Sequence, residues 1–283
     1  LLVISIDPVA FSIGTLEVRW YGIMVAAAVI TLLAISFRET KKRGVSEATT
    51  SYNLLFWALI GGIIGAKLVY LVEAWSLYGV KPSDIISPYG WALYGAILGS
   101  ISAGLIYSRI RPKEASFQDL PAITDAVAVG APLAQAIGRI GCTINGCCYG
   151  KPSPFLSFPG AVSYTPRDTI PAQYWNIPLY PTQIYFILWN LIVFAIVWKL
   201  RRRLELQGSL LFLYLSLYAA GDFGIRFFKA APPVLTGLRG EQIISLVILA
   251  IALPVLIIRI HRFRQRAIAE PADNTTQQQS QED

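Results

Sequence analysis

Histidine is all but missing from this chain: His261 is the only one in 283 residues. Charge is also scarce, at 14% of residues, where soluble domains carry roughly a quarter. The low charge argues against a soluble periplasmic catalyst. The lack of histidine removes the usual base for an activated thiol and the usual partner of cysteine in a zinc site. Cysteine is confined to Cys142, Cys147 and Cys148, spaced C-x4-C-C, which matches no usual zinc pattern. No metal and no cofactor is therefore expected. The plainest account of the three thiols is small apolar packing, with or without one disulfide. The balance of 24 basic against 17 acidic residues gives a net charge of +7. The basic residues fall in short clusters between apolar runs rather than along a stripe, so nucleic acid is not an expected partner.

What the chain does have is apolar length. Hydrophobic residues make up 54% of it, and mean hydropathy is +0.52. A helix needs about 20 apolar residues to cross a bilayer. Seven segments qualify: Val18–Phe37, Leu54–Leu71, Trp91–Tyr107, Ala122–Ile144, Thr182–Val197, Leu210–Phe228 and Ile243–Ile260. The expected fold is an all-α, polytopic membrane protein, a bundle of seven transmembrane helices. The fourth segment has the most interrupted pattern, with Asp125, Pro132, Gln135 and Arg139 inside it.

Loop charges set the orientation. Arg38, Lys41, Lys42 and Arg43 follow the first span, and Arg109, Arg111 and Lys113 follow the third. Lys199, Arg201, Arg202 and Arg203 follow the fifth, and Arg259, Arg262, Arg264 and Arg266 follow the seventh. All four clusters fall on one side, which the positive-inside rule makes cytoplasmic. The N-terminus is then outside and the C-terminus cytoplasmic. Residues 1–16 read as an outside segment, with Ile6–Ile13 able to lie along the membrane surface. Residues 1–269 form a single integral membrane domain, whose outside loop 151–180 is rich in proline and aromatics. The polar, glutamine-rich stretch 270–283 reads as a disordered cytoplasmic tail.

Ionisable residues at membrane depth cost about 2.5–3.5 kcal/mol each, so they are normally paired or face a polar cavity. Asp222 and Arg226 lie one helical turn apart and can neutralise each other. Asp125 and Lys67 form a second plausible pair. Arg139 has no such partner nearby in sequence. It lies near the outer end of its span, in GRIGCTINGCCYG, Gly138–Gly150. Its guanidinium stays protonated and can grip phosphate oxygens in a bidentate manner. Two readings follow: a lateral site for a phospholipid headgroup, or an arginine that simply snorkels to the interface.

GRIGCTINGCCYG resembles the signature of prolipoprotein diacylglyceryl transferases, G-R-x-G-N-F-x-N-G-E-x-x-G. Other stretches extend the resemblance in order along nearly the whole chain. FSIGTLEVRWYGIM (Phe11–Met24) is similar to the family's entry into span one, and GAKLVY (Gly65–Tyr70) to its stretch in span two. YPTQIY (Tyr180–Tyr185) is similar to its P-[ST]-Q-x-Y motif, and EQIISL (Glu241–Leu246) to the start of its span seven. The resemblance implies transfer of the diacylglyceryl group of phosphatidylglycerol to the lipobox cysteine thiol of a prolipoprotein signal peptide, with release of glycerol phosphate. It also implies a multi-pass protein of the bacterial plasma (inner) membrane, acting in lipoprotein biosynthesis. Carried over by position, Arg139 binds phosphate, and Tyr21, Asp125, Asn145, Gly146, Gly150, Gln183, Tyr185, Tyr218 and Gln242 line or shape the substrate site.

The chain also departs from the pattern. The family's span-three histidine corresponds to Tyr94. Its signature asparagine and glutamate become Cys142 and Cys147, and the glutamate after P-[ST]-Q-x-Y becomes Phe186. A span-six arginine aligns with Asp222, and a following glutamate with Arg226. The catalytic set expected of an active enzyme is thus Arg139, Tyr94, Asp222 and Arg226. The alternative is a catalytically silent relative, a lipid-binding or scaffold subunit within a larger membrane complex. A third is transfer of a lipid group to another acceptor.

Overall fold

The computed structural model describes residues 2–14, 16–43, 45, 48–78, 93–112, 117–204, 206–230 and 237–282; at 16, 48–51, 73–78, 93–94, 264 and 266–282 it describes the backbone alone. Three short strands come first, β1 (Leu2–Ile4), β2 (Val9–Ile13) and β3 (Leu16–Arg19). Helices α1 (Trp20–Lys42), α2 (Ala48–Tyr78), α3 (Leu93–Ile110) and α4 (Leu120–Asn145) follow. After strand β4 (Val162–Tyr164) come α5 (Thr182–Leu200), α6 (Ser209–Ile225) and α7 (Gly240–Glu282), with single 3-10 turns at Ala172–Tyr174 and Arg226–Phe228.

Among the described residues, six helical segments are long and apolar enough to cross a membrane: Trp20–Lys42, Tyr52–Val72, Leu120–Asn145, Thr182–Leu200, Ser209–Phe228 and Gly240–Phe263. A shorter apolar helix covers Gly95–Ile110. Each overlaps one expected span; the start of the third span, Trp91 and Ala92, lies outside the described residues. Side chains such as Leu68, Val72, Ile101, Ile251 and Ile257 are exposed on these helices. In water such faces would associate, whereas lipid tails cover them.

Three local features add detail to the expected spans. Val9–Ile13 pairs antiparallel with Leu16–Arg19, through a turn at Gly14 with φ +61°. The interrupted fourth span is one continuous helix. Its Pro132 is tolerated because neighbouring helices supply the packing that a lost hydrogen bond would otherwise cost. The backbone of α7 runs on as helix to Glu282 through the glutamine-rich stretch, since propagating an existing helix costs far less than nucleating one.

The chain divides into two compact units, Leu1–Ile35 with Val127–Asp283, and Ser36–Ala126. In the smaller unit, α2 and α3 approach through small residues. A side chain on Gly65 would run into the carbonyl of Gly95, and one on Gly99 into the carbonyl of Gly61. Close backbone approach of this kind is how helices associate where no hydrophobic effect drives them. The same unit buries Asp125 completely, and Arg43 Nη1 reaches its Oδ2 at 3.3 Å. Lys67 Nζ, the other cation expected near Asp125, lies 5.3 Å from the centre of the Tyr70 ring.

The larger unit has two apolar clusters. One joins Ala128 and Val129 of α4, Val193 and Val197 of α5, and Leu210 and Tyr214 of α6. The other lies beneath the 151–180 loop, where β1 pairs in parallel with β4 and Ile4, Val162, Tyr164, Ile170 and Leu179 close together. This second cluster fixes the loop beside the end of α4.

Candidate active site at the end of α4

α4 ends where Gly146 N–H donates to the Cys142 carbonyl at 2.9 Å. Gly146 then takes φ +79°, a left-handed conformation that glycine adopts without a steric penalty and that commonly closes helices. A Cβ there would lie 2.7 Å from Ile170 Cδ1. Cys148 is also left-handed, at φ +61°. These two turns fold the chain back over the helix end. The Sγ atoms of Cys142, Cys147 and Cys148 all come within 4.8 Å of one another, and the cysteines are free thiols. Spacing alone gave no reason to expect that convergence.

The returning loop is held by its main chain. Gln183 Nε2 donates to the Cys147 carbonyl and Thr182 Oγ1 to the Cys148 carbonyl, both at 2.8 Å. Gly150 N–H reaches the Tyr180 carbonyl at 3.1 Å, and Lys151 N–H the Phe228 carbonyl at 2.9 Å. Any side chain on Gly150 would strike Tyr180 and the Phe228 carbonyl. Asn145 accepts a hydrogen bond from Thr169 Oγ1 at its carbonyl. Buried Arg167 donates to the carbonyls of Ile144 at 2.8 Å and Ile4 at 2.5 Å, tying the end of α4 to β1.

Arg139 lies three residues before Cys142, so the two share a helix face. Its guanidinium carbon is 4.3 Å from the centre of the Phe186 ring, a cation–π contact, and among the described residues no carboxylate forms an ion pair with it. The groups that act electrostatically on it are Cys142, Cys148, Tyr218 and Asp222. Tyr21, partly exposed on α1, is within electrostatic reach of Arg139 and of all three cysteines. Gly141 permits that approach, because a Cβ there would lie 2.9 Å from Met24 Cβ. Cys148, just beyond the span, is drawn below the ordinary thiol range by hydrogen bonds with the Cys142 and Cys147 thiols, with Arg139 and Lys229 adding positive potential.

Asp222 and Arg226 form the expected pair on α6, Nε to Oδ2 at 2.6 Å, and both are buried. The same carboxylate oxygen accepts from Ser245 Oγ of α7 at 2.7 Å, and Arg226 Nη1 also meets Glu241 Oε1 at 2.9 Å. Arg226 is therefore engaged by two carboxylates. Gln242 bridges locally, with Nε2 to the Phe223 carbonyl at 3.2 Å and Arg239 N–H to its Oε1 at 3.0 Å.

Of the sequence-derived residues, Tyr21, Arg139, Asn145, Gly146, Gly150, Tyr218 and Asp222 cluster in the larger unit around the end of α4. Gln183 is fully buried, serving the Cys147 carbonyl and the Tyr164 hydroxyl. Tyr185 donates to the Pro159 carbonyl at 2.9 Å in the outer loop. Asp125 is near the opposite end of α4 with Arg43. The backbone of Tyr94 lies in α3, and its side chain is outside the described residues. Phe186 as a platform for Arg139, and Ser245 and Glu241 as partners of the α6 pair, were not in the sequence-derived set. Only an aromatic one turn from Gln183 hinted at the first.

The long apolar helices define an integral membrane protein, with Arg139 placed near the end of one of them. The comparisons with known proteins are more specific. Residues 8–258 match the family described as prolipoprotein diacylglyceryl transferase, and the chain belongs to that family. It is 37% identical over 273 residues to the phosphatidylglycerol–prolipoprotein diacylglyceryl transferase of Dehalococcoides mccartyi, covering 96% of this chain and 99% of the relative. The proteins of the same name from Limosilactobacillus reuteri and Listeria monocytogenes are 33% and 32% identical; the alignments cover 91% and 90% of this chain and 93% and 90% of theirs.

Proposed function

We propose that this protein transfers the diacylglyceryl group of phosphatidylglycerol to the lipobox cysteine thiol of a prolipoprotein, releasing glycerol phosphate. The observation that carries the reading is Arg139, held over Phe186 and not ion-paired among the described residues, in a chain whose relatives over nearly full length bear the transferase name. That likeness also disfavours a silent scaffold.

In this reading the phosphate of the donor lipid meets Arg139, whose charge stabilises the negative charge growing on the leaving group where water is excluded. Tyr21, Asn145 and Tyr218 line the site. Gly146 and Gly150 shape the loop over it, and Gln183 positions that loop. Asp222 and Arg226 support the site as a neutral pair that joins α6 to α7. Tyr94, Tyr185 and Gln242 complete the expected set, whereas Asp125, paired with Arg43 near the other end of α4, serves the fold rather than the site. In this reading seven spans run from an outside N-terminus to a cytoplasmic C-terminus in a bacterial plasma membrane, with 1–269 as the membrane domain. That orientation, inferred from the basic clusters, brings the end of α4 to the outer face, where a signal-peptide cysteine emerges.

The test is a mass-spectrometric assay with phosphatidylglycerol and a lipobox peptide. The expected result is a diacylglyceryl mass shift on the peptide that Arg139→Ala abolishes. No shift, with phospholipid still bound to the purified protein, would overturn the transferase and leave a lipid-binding subunit of a larger complex.

A further inference from the structure

The acceptor thiol must lose a proton before it can attack carbon, yet the side chains around Arg139 offer little to take it. The only histidine is His261, near the far end of the apolar part of α7. Asp222 is engaged by Arg226 and Ser245. What the fold places beside Arg139 instead is three sulfur atoms converging on one point.

Resting on the transferase reading, we propose that Cys142, Cys147 and Cys148 bind a zinc ion whose fourth coordination position receives the acceptor cysteine thiol.

The geometry fits. At about 2.3 Å per Zn–S bond, tetrahedral coordination sets sulfur atoms about 3.8 Å apart. The three Sγ atoms lie within 4.8 Å of one another, so closing around an ion needs only side-chain adjustment. Main-chain hydrogen bonds from Gln183 and Thr182 already hold the loop that carries Cys147 and Cys148. Three protein ligands with one open position is the arrangement of catalytic zinc, whereas structural zinc has four. Cys147 and Cys148 are only partly buried, which leaves a side for an incoming thiol. Thiolate sulfur selects soft ions, and zinc brings no redox change. Arg139 and Lys229 offset the negative charge that three thiolates leave around a divalent ion.

The step balances without an oxidant. On binding, the acceptor Cys–SH releases its proton to water, since a coordinating thiol is deprotonated outright. A sulfur lone pair then forms the S–C bond to the glycerol carbon of the diacylglyceryl group that bears the phosphate. The C–O bond to phosphate breaks, and its electron pair leaves on glycerol phosphate. The reactants carry one negative charge on the thiolate and one on the lipid. The products are a neutral thioether and a doubly charged phosphate, which faces Arg139. The thioether, a much poorer ligand than thiolate, departs.

The test uses the full chain, purified in detergent under reducing conditions, then stripped with a chelator and reloaded with zinc(II) or cobalt(II). The expected result is one ion per chain, lost in Cys147→Ser and in Cys148→Ser, with an intense sulfur-to-cobalt charge-transfer band. A lipobox peptide strengthens that band, and the same peptide with serine at the acceptor position does not. Transfer falls about 100-fold or more on stripping, the scale of a missing base, and returns with zinc. Stripping and reloading the native chain avoids reliance on variants that could misfold. Failure to bind zinc or cobalt, or transfer that survives stripping, overturns the metal and leaves the transferase standing. An ion that binds while the band ignores the peptide overturns the role in thiol binding. Loading with the expected band, but no transfer in any preparation, overturns the transferase reading and with it the catalytic part of this proposal.

Discussion

α4 carries an ionisable residue near each end, and the two are treated differently. Asp125 is fully buried and met by Arg43 at 3.3 Å. Arg139, fourteen positions on, faces an aromatic ring and the thiols of Cys142 and Cys148, with no ion pair among the described residues. A compensated charge on a membrane helix holds structure together. One without an ion pair keeps its charge for a ligand, the role proposed for Arg139.

The largest expected effect is at the compensated end. Asp125→Ala removes a buried partner of the Arg43 guanidinium and lowers stability by about 3–5 kcal/mol, read as an early thermal transition in detergent, with transfer lost only in proportion to unfolded protein. Arg139→Ala should do the opposite. Transfer drops about 100- to 1,000-fold, the scale of one lost transition-state donor, while the thermal midpoint does not fall. If Arg139→Ala unfolds the protein as readily as Asp125→Ala, the contrast between the two ends is wrong. Next comes a control in the α2–α3 contact. Gly99→Leu drives a side chain into the Gly61 carbonyl and should cost about 1–3 kcal/mol of stability through overpacking, again by thermal unfolding. The smallest effect sharpens the picture at Arg139. Phe186→Leu removes a cation–π contact worth about 0.5–2 kcal/mol, so the KM for phosphatidylglycerol should rise between about twofold and thirtyfold, with folding intact.

The helices were legible because a bilayer demands long apolar runs, and the basic clusters marked their ends. Arg139 was legible as a charge where charge is costly. The partner of Asp125 was not, because 82 residues separate it from Arg43 and sequence proximity favoured no one cation. The β2–β3 hairpin was obscured by its mainly apolar run, which reads equally well as a membrane-surface segment. The thiol convergence was hidden for another reason: it depends on left-handed backbone at Gly146 and Cys148. Only the first of those is a residue that advertises such a turn.

The loop from Gly146 to Lys151 is fastened almost wholly through carbonyls and amides, with donors arriving from Gln183 and Thr182 and acceptors at Tyr180 and Phe228. Its path therefore leans little on the side chains at positions 147 and 148, although the left-handed backbone at 148 favours residues without β-branching. Those positions form an interchangeable socket on a fixed frame, where one reactive group can be exchanged for another without the fold having to be rebuilt around it.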